Sequence, residues 1–66
     1  MKTATIGIGK ECAESYWKFN SLSAAVRFVS NYEGETPIYN LIYDGDEYFN
    51  VSENIERIAK ENHINV

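Results

Sequence analysis

The chain has 66 residues, 44% of them hydrophobic and 24% charged, a composition that suits one small globular domain and excludes a two-domain cleft. Its formal net charge of −4 and pI of about 4.8 argue against wrapping nucleic acid or binding an anionic membrane. One Cys excludes an intramolecular disulfide and most zinc sites, so the usual staples of a mini-protein are missing.

Residues 1–9 lack the apolar run of a secretory signal, and no segment approaches the ~20 apolar residues of a membrane span. The expected location is the cytoplasm, or a host cytoplasm for a phage-encoded chain, and a free Cys12 fits a reducing compartment. Residues 3–9 alternate, with Ala4, Ile6 and Ile8 on one side and Thr3, Thr5 and Gly7 on the other, which predicts a strand. Residues 10–14 are polar and read as a turn. The aromatic run Ser15-Tyr16-Trp17-Lys18-Phe19 predicts a second strand, with Trp17 and Phe19 on one face and Tyr16 and Lys18 on the other.

Ser21 is placed to cap a helix from about Leu22 to Glu33, since Leu22, Ala25, Val26, Val29 and Tyr32 follow helical spacing and Phe28 widens the stripe. Gly34 suits a left-handed terminator and Pro37 blocks resumption of the helix. The segment from Pro37 to Val51 then reads as a hairpin around Asp44-Gly45. A two-residue loop pairs Tyr43 with Asp46, and leaves Glu47 on a face with Ile38 and Ile42. A three-residue loop gathers Tyr39, Leu41, Tyr43, Phe49 and Val51 on one face and Ile38, Asn40, Ile42, Asp46, Tyr48 and Asn50 on the other. The second register segregates polar from apolar better and is the expected one. Ser52 would cap a second helix from Glu53 to about Asn62, with Ile55, Ile58 and Ala59 inward and with Glu53–Arg57 and Glu56–Lys60 spaced as i,i+4 ion pairs. Ile64 and Val66 would fold back or form a short tail.

The expected fold class is therefore α+β: a two-layer sandwich in the order β-β-α-β-β-α. Its sheet would be three- or four-stranded and mainly antiparallel, with the helices on one face.

No constellation specifies catalysis. Gly7-Ile8-Gly9-Lys10 follows a strand, but Ala4 and Glu11 stand where a phosphate loop needs Gly and a hydroxyl. Cys12 and His63 are the only thiol and imidazole of the chain, and nothing in the sequence brings them together as nucleophile and base. Asp44, Asp46 and Glu47 lack the loop and distal Glu of an EF-hand, and turn chemistry accounts for Asp44-Gly45. The expectation is a chain without catalytic residues, cofactor or metal.

Charge placement is more informative than total charge. Residues 1–27 carry four bases and two acids, whereas residues 28–56 carry Glu33, Glu35, Asp44, Asp46, Glu47, Glu53 and Glu56 with no Lys or Arg. A one-sign field of this kind steers basic partners and repels nucleic acid. Under the expected register Tyr48 stands on the outer sheet face beside Ile38 and Ile42, a patch that small monomers seldom leave unused. The candidate partner-binding residues are Glu33, Glu35, Ile38, Ile42, Asp44, Asp46, Glu47 and Tyr48.

Strands followed by a helix opening Ser21-Leu22-Ser23-Ala24-Ala25, and then the hairpin over residues 38–51, make a small acidic chain that resembles phage-encoded inhibitors, anti-CRISPR proteins among them. The resemblance is one of organisation, and it implies a short non-enzymatic domain that binds a host defence or nucleic-acid-handling protein through a basic surface. The alternative reading is a homodimeric structural or regulatory subunit that pairs through its outer sheet face.

Overall fold

A computed structural model describes residues 2–64; Val66, whose fate the sequence left open, lies outside the described residues. The first strand, β1 (Ala4–Ile8), turns Ala4 and Ile6 inward, both with no exposed surface, and the second, β2 (Ser15–Phe19), runs antiparallel beside it. Helix α1 (Leu22–Ser30) follows, then β3 (Ile38–Tyr43), β4 (Asp46–Phe49) and helix α2 (Val51–Glu61). All three strand pairings are antiparallel and the sheet order is β2-β1-β3-β4. This is the expected α+β order, with four strands in one sheet.

Helix α1 begins as its sequence predicts. The Ser21 hydroxyl accepts from the Ala24 N–H at 3.2 Å, satisfying one of the amides that a helix start leaves free. It stops at Ser30, short of the expected Glu33. Asn31 ends it, with both its backbone N–H and its side-chain amide donating to the Arg27 carbonyl at 3.1 and 3.0 Å. The Tyr32 hydroxyl then donates to the Thr36 carbonyl. Gly34 is not the left-handed terminator expected of it. A Cβ there would run into the Tyr32 ring, so the position calls for a missing side chain rather than a special backbone angle.

The hairpin turns through the two-residue loop, which corrects the expected register. Asp44 and Gly45 have φ of 51° and 85°, the pair of positive angles that a type I′ turn requires. Tyr43 pairs with Asp46, Ile42 with Glu47, Leu41 with Tyr48 and Asn40 with Phe49. A bulge between Gly7 and Ile8 adds a second correction, because Gly7 pairs with Asn40 while Ile8 pairs with Ile38. Tyr39 is thereby left over, and alternation breaks. Ile38 swings onto the helix side, where it is 8% exposed in the core.

Helix α2 starts two residues earlier than Ser52 suggested. Its N-cap is Asn50, in left-handed conformation at φ 53° and ψ 45°, with no side-chain capping bond. The Asn50 carbonyl instead accepts from the backbone and the side chain of Asn54 at 3.1 and 3.0 Å. At the far end His63 takes φ 58°. Its N–H donates to the Lys60 carbonyl at 3.2 Å and the Ile64 N–H to the Ala59 carbonyl at 2.8 Å. That pair of bonds is a Schellman closure, and Ile64 packs onto the core as such closures favour. Among the described residues, the expected Glu53–Arg57 and Glu56–Lys60 pairs do not close; the ion pair formed is Lys2–Asp44.

Both helices pack on one face of the sheet. Leu22, Ala25, Val26 and Val29 of α1 meet Val51, Ile55 and Ala59 of α2 over Ala4, Ile6, Ile38 and Leu41. Ile6, Leu41, Ile58, Val26 and Val51 are the largest fully buried side chains. Truncating one such Leu or Ile to Ala costs about 2–5 kcal/mol. A chain of this size is held by only about 3–10 kcal/mol in total, so one core truncation removes a large share of it.

Candidate interaction surface

With both helices on one face, no helix or strand among the described residues covers the other face of the sheet. Two cross-strand rows run over it: Tyr16, Gly7, Asn40 and Phe49, then Lys18, Thr5, Ile42 and Glu47. The first row is aromatic at both ends, with Tyr16 59% and Phe49 50% exposed. The Tyr39 ring, from the bulge, meets Phe49 edge-on at 5.7 Å.

The middle of that row is tightly closed. Asn40 is 3% exposed, and its side-chain amide donates to Glu47 Oε2 at 2.7 Å. Its Oδ1 is buried without a hydrogen-bond partner. That oxygen occupies the place a Cβ on Gly7 would take, with the Ala13 methyl 2.8 Å from the same point. Ala13 belongs to the loop of residues 9–14. The loop is pinned by the Gly9 N–H to the Pro37 carbonyl at 3.0 Å and by the Glu14 N–H to the Ile8 carbonyl at 2.8 Å.

The eight candidate partner-binding residues do not form one surface. Ile42, half-buried, and Glu47, exposed, lie side by side on the open face. Asp44 and Asp46 stand exposed at the hairpin turn next to them. Ile38 is in the core, and Tyr48 faces the helices, packed against the core beside Leu41. These two are therefore removed from the apolar patch. Glu33 and Glu35 are exposed in the α1–β3 connection, at the opposite end of β3 from the turn. Six strand residues, about 17–20 Å, separate the two acidic groups.

Phe49, expected on the inward face of the hairpin, is half-exposed on the open face, and Trp17, on the helix side of β2, is 56% exposed. The signal for Phe49 was available: the Asp-Gly loop in its two-residue form puts Phe49 with Ile42 and Glu47. For Trp17 no sequence signal existed, because α1 covers Phe19 of the same strand, with Phe28 5.2 Å from its ring, and leaves Trp17 outside.

Electrostatics at the turn are less one-sided than the sequence suggests. Lys2 Nζ lies 2.9 Å from Asp44 Oδ2, with side chains 62% and 53% exposed. The hydrogen bond and charge of Asp44, with a further contribution from Tyr43, raise the Lys2 pKa above its ordinary value. Asp46 and Glu47 remain as the acids of β4. Cys12 is exposed in the β1–β2 loop and His63 lies just beyond α2. Among the described residues no three His, Cys, Asp or Glu side chains cluster as a metal site, and no helix is long and apolar enough to cross a membrane. Comparison with known protein families, with curated proteins and with solved structures finds no match.

Proposed function

We propose that this chain is a non-enzymatic protein-binding module that meets a basic surface of another protein through the β3–β4 side of its open sheet face. Inhibition of a host defence or nucleic-acid-handling protein by a phage or mobile element is the setting we assign to it. One observation carries the reading. Half-exposed Phe49 stands with Ile42, Glu47 and Asp46 on the same hairpin, an aromatic anchor rimmed by acids. Aromatic anchors supply most of the energy of protein interfaces, while rim charges steer the approach of an oppositely charged partner.

The test is affinity capture from host lysate at low and high salt, with the intact chain and with Phe49→Ser and Glu47→Lys variants as bait. The expected result is one retained protein, lost with either substitution and weakened by salt. Retention unchanged by both variants, or no retention at low salt, overturns the proposal. Ile38 and Tyr48 lie outside this surface, so Ile38→Val and Tyr48→Phe serve as controls that leave capture intact.

A further inference from the structure

We propose that two copies of this chain associate through β2, joining their sheets edge to edge about a two-fold axis at Trp17. The two edges of the sheet are unequally protected. Strand β4 has four residues and begins Asp46-Glu47, the short, charged edge that discourages further pairing. Strand β2 has five residues, of which Ser15, Tyr16, Trp17 and Lys18 are exposed. Its free edge carries neither proline nor an acid, and two aromatic side chains stand open on opposite faces of it.

Charge placement leaves β2 as the edge through which a second copy can pair. Each chain carries −4, so like copies repel unless their acids stay apart. Pairing through β4 would bring Asp46 and Glu47 of both copies together. Strand β2 lies three strands away from β4, about 14 Å at the usual strand spacing, which exceeds the ~8 Å screening length at physiological salt. The β2 sequence is also complementary to itself. In an antiparallel pair centred on Trp17, Trp17 faces Trp17 of the other copy on the helix side. On the open face Lys18 faces Tyr16. Glu14, the residue just before the strand, lies on one diagonal and the other copy's Lys18 on the second, so each lysine has a carboxylate within reach to offset its like-charged neighbour. Those are favourable cross-strand pairs, aromatic with aromatic and cation with both an aromatic face and a carboxylate. The outcome is one eight-stranded sheet with a β4 hairpin at each end, so the surface proposed above would be presented twice.

A strand of five residues buries less than a standard interface, so the association is reversible, with a dissociation constant of about 10–100 µM. Sedimentation of the full chain across that range should show the mass rising from 7.6 kDa toward twice that value. Trp17 is the only tryptophan, so its emission reports the same event and should shift to the blue in step with mass. Lys18→Glu, an exposed substitution checked for folding by its unfolding midpoint, should weaken association at least tenfold. Glu14→Lys added to it should restore the pair. A 7.6 kDa species at every concentration overturns the proposal. So does a dimer whose Trp17 emission stays that of the monomer, or one that Lys18→Glu leaves intact.

Discussion

Asn40 fills the space that a side chain on Gly7 would need. Its Oδ1 sits at the position of the missing Cβ, buried and without a hydrogen-bond partner, while its amide holds Glu47 at 2.7 Å. One absent methyl on β1 thus permits a polar residue on β3, and that residue orders a carboxylate on β4. The cost is one unsatisfied buried acceptor, which the glycine's close approach shields from water.

Gly7→Ala should therefore destabilise the fold by about 1–3 kcal/mol, the usual cost of overpacking. Asn40→Ala alone should cost less, because it removes an unpaired acceptor as well as a bond to an exposed carboxylate. The double variant should recover part of the Gly7→Ala loss, the Ala13 methyl 2.8 Å from the new Cβ accounting for the remainder, a coupling that urea unfolding of the four proteins measures directly. Additive losses would show that Asn40 and Gly7 do not share that space.

His63 occupies a left-handed position, φ 58°, where a Schellman closure ordinarily has glycine. An L-residue in that conformation costs roughly 1–2 kcal/mol. His63→Gly should then stabilise the protein by a few tenths to about 1 kcal/mol, the gain being offset in part by glycine's freedom in the unfolded chain. The check is the thermal midpoint, which for so small a domain moves by about 4–8 °C per kcal/mol. An unchanged or lower midpoint would mean that the imidazole contributes contacts worth keeping.

Asn50 makes the same demand at the other end of α2. With φ 53° and no side-chain cap, it serves the hairpin-to-helix corner through its backbone angle alone. Asn50→Ala should cost about 1 kcal/mol and Asn50→Gly at most a few tenths. Denaturant midpoints of the two variants decide this, and equal losses would assign the work to the amide side chain instead.

These positions mark where the sequence stops being legible. Element order, the Ser21 cap and the inward stripe of α1 follow from spacing and propensity, because those signals are local. The hairpin did not yield to the same logic. Sorting apolar from polar favoured the longer loop, whereas the positive φ angles of Asp44 and Gly45 and the bulge that frees Tyr39 decide the register. The bulge depends on how β3 meets β1, a pairing between residues thirty or more apart in sequence, and no local pattern reports it. Burying Ile38 and exposing Phe49 both follow from it and from the turn. Acidic residues that run together in sequence are likewise divided between the two ends of β3 once the strand is extended.

The Lys2–Asp44 pair links the start of β1 to the hairpin turn, and its pH dependence has a definite sign. Asp44 raises the Lys2 pKa in the folded chain, chiefly by accepting its hydrogen bond and then by its charge. The folded state thus holds the lysine proton more tightly than the unfolded one. The pair's stabilisation is fully present below the ordinary lysine value of about 10.4 and disappears as pH rises through the raised folded value. Both partners are more than half exposed, so the effect is small and screened by salt. Comparison of the native chain with Lys2→Gln by urea unfolding should show a constant difference from neutral pH up to about 9, which then shrinks as pH rises beyond the ordinary lysine value of about 10.4. Added salt should shrink the neutral-pH difference. A difference that persists unchanged through the lysine titration range would show that Lys2 stabilises the corner through its methylene stem rather than through its charge.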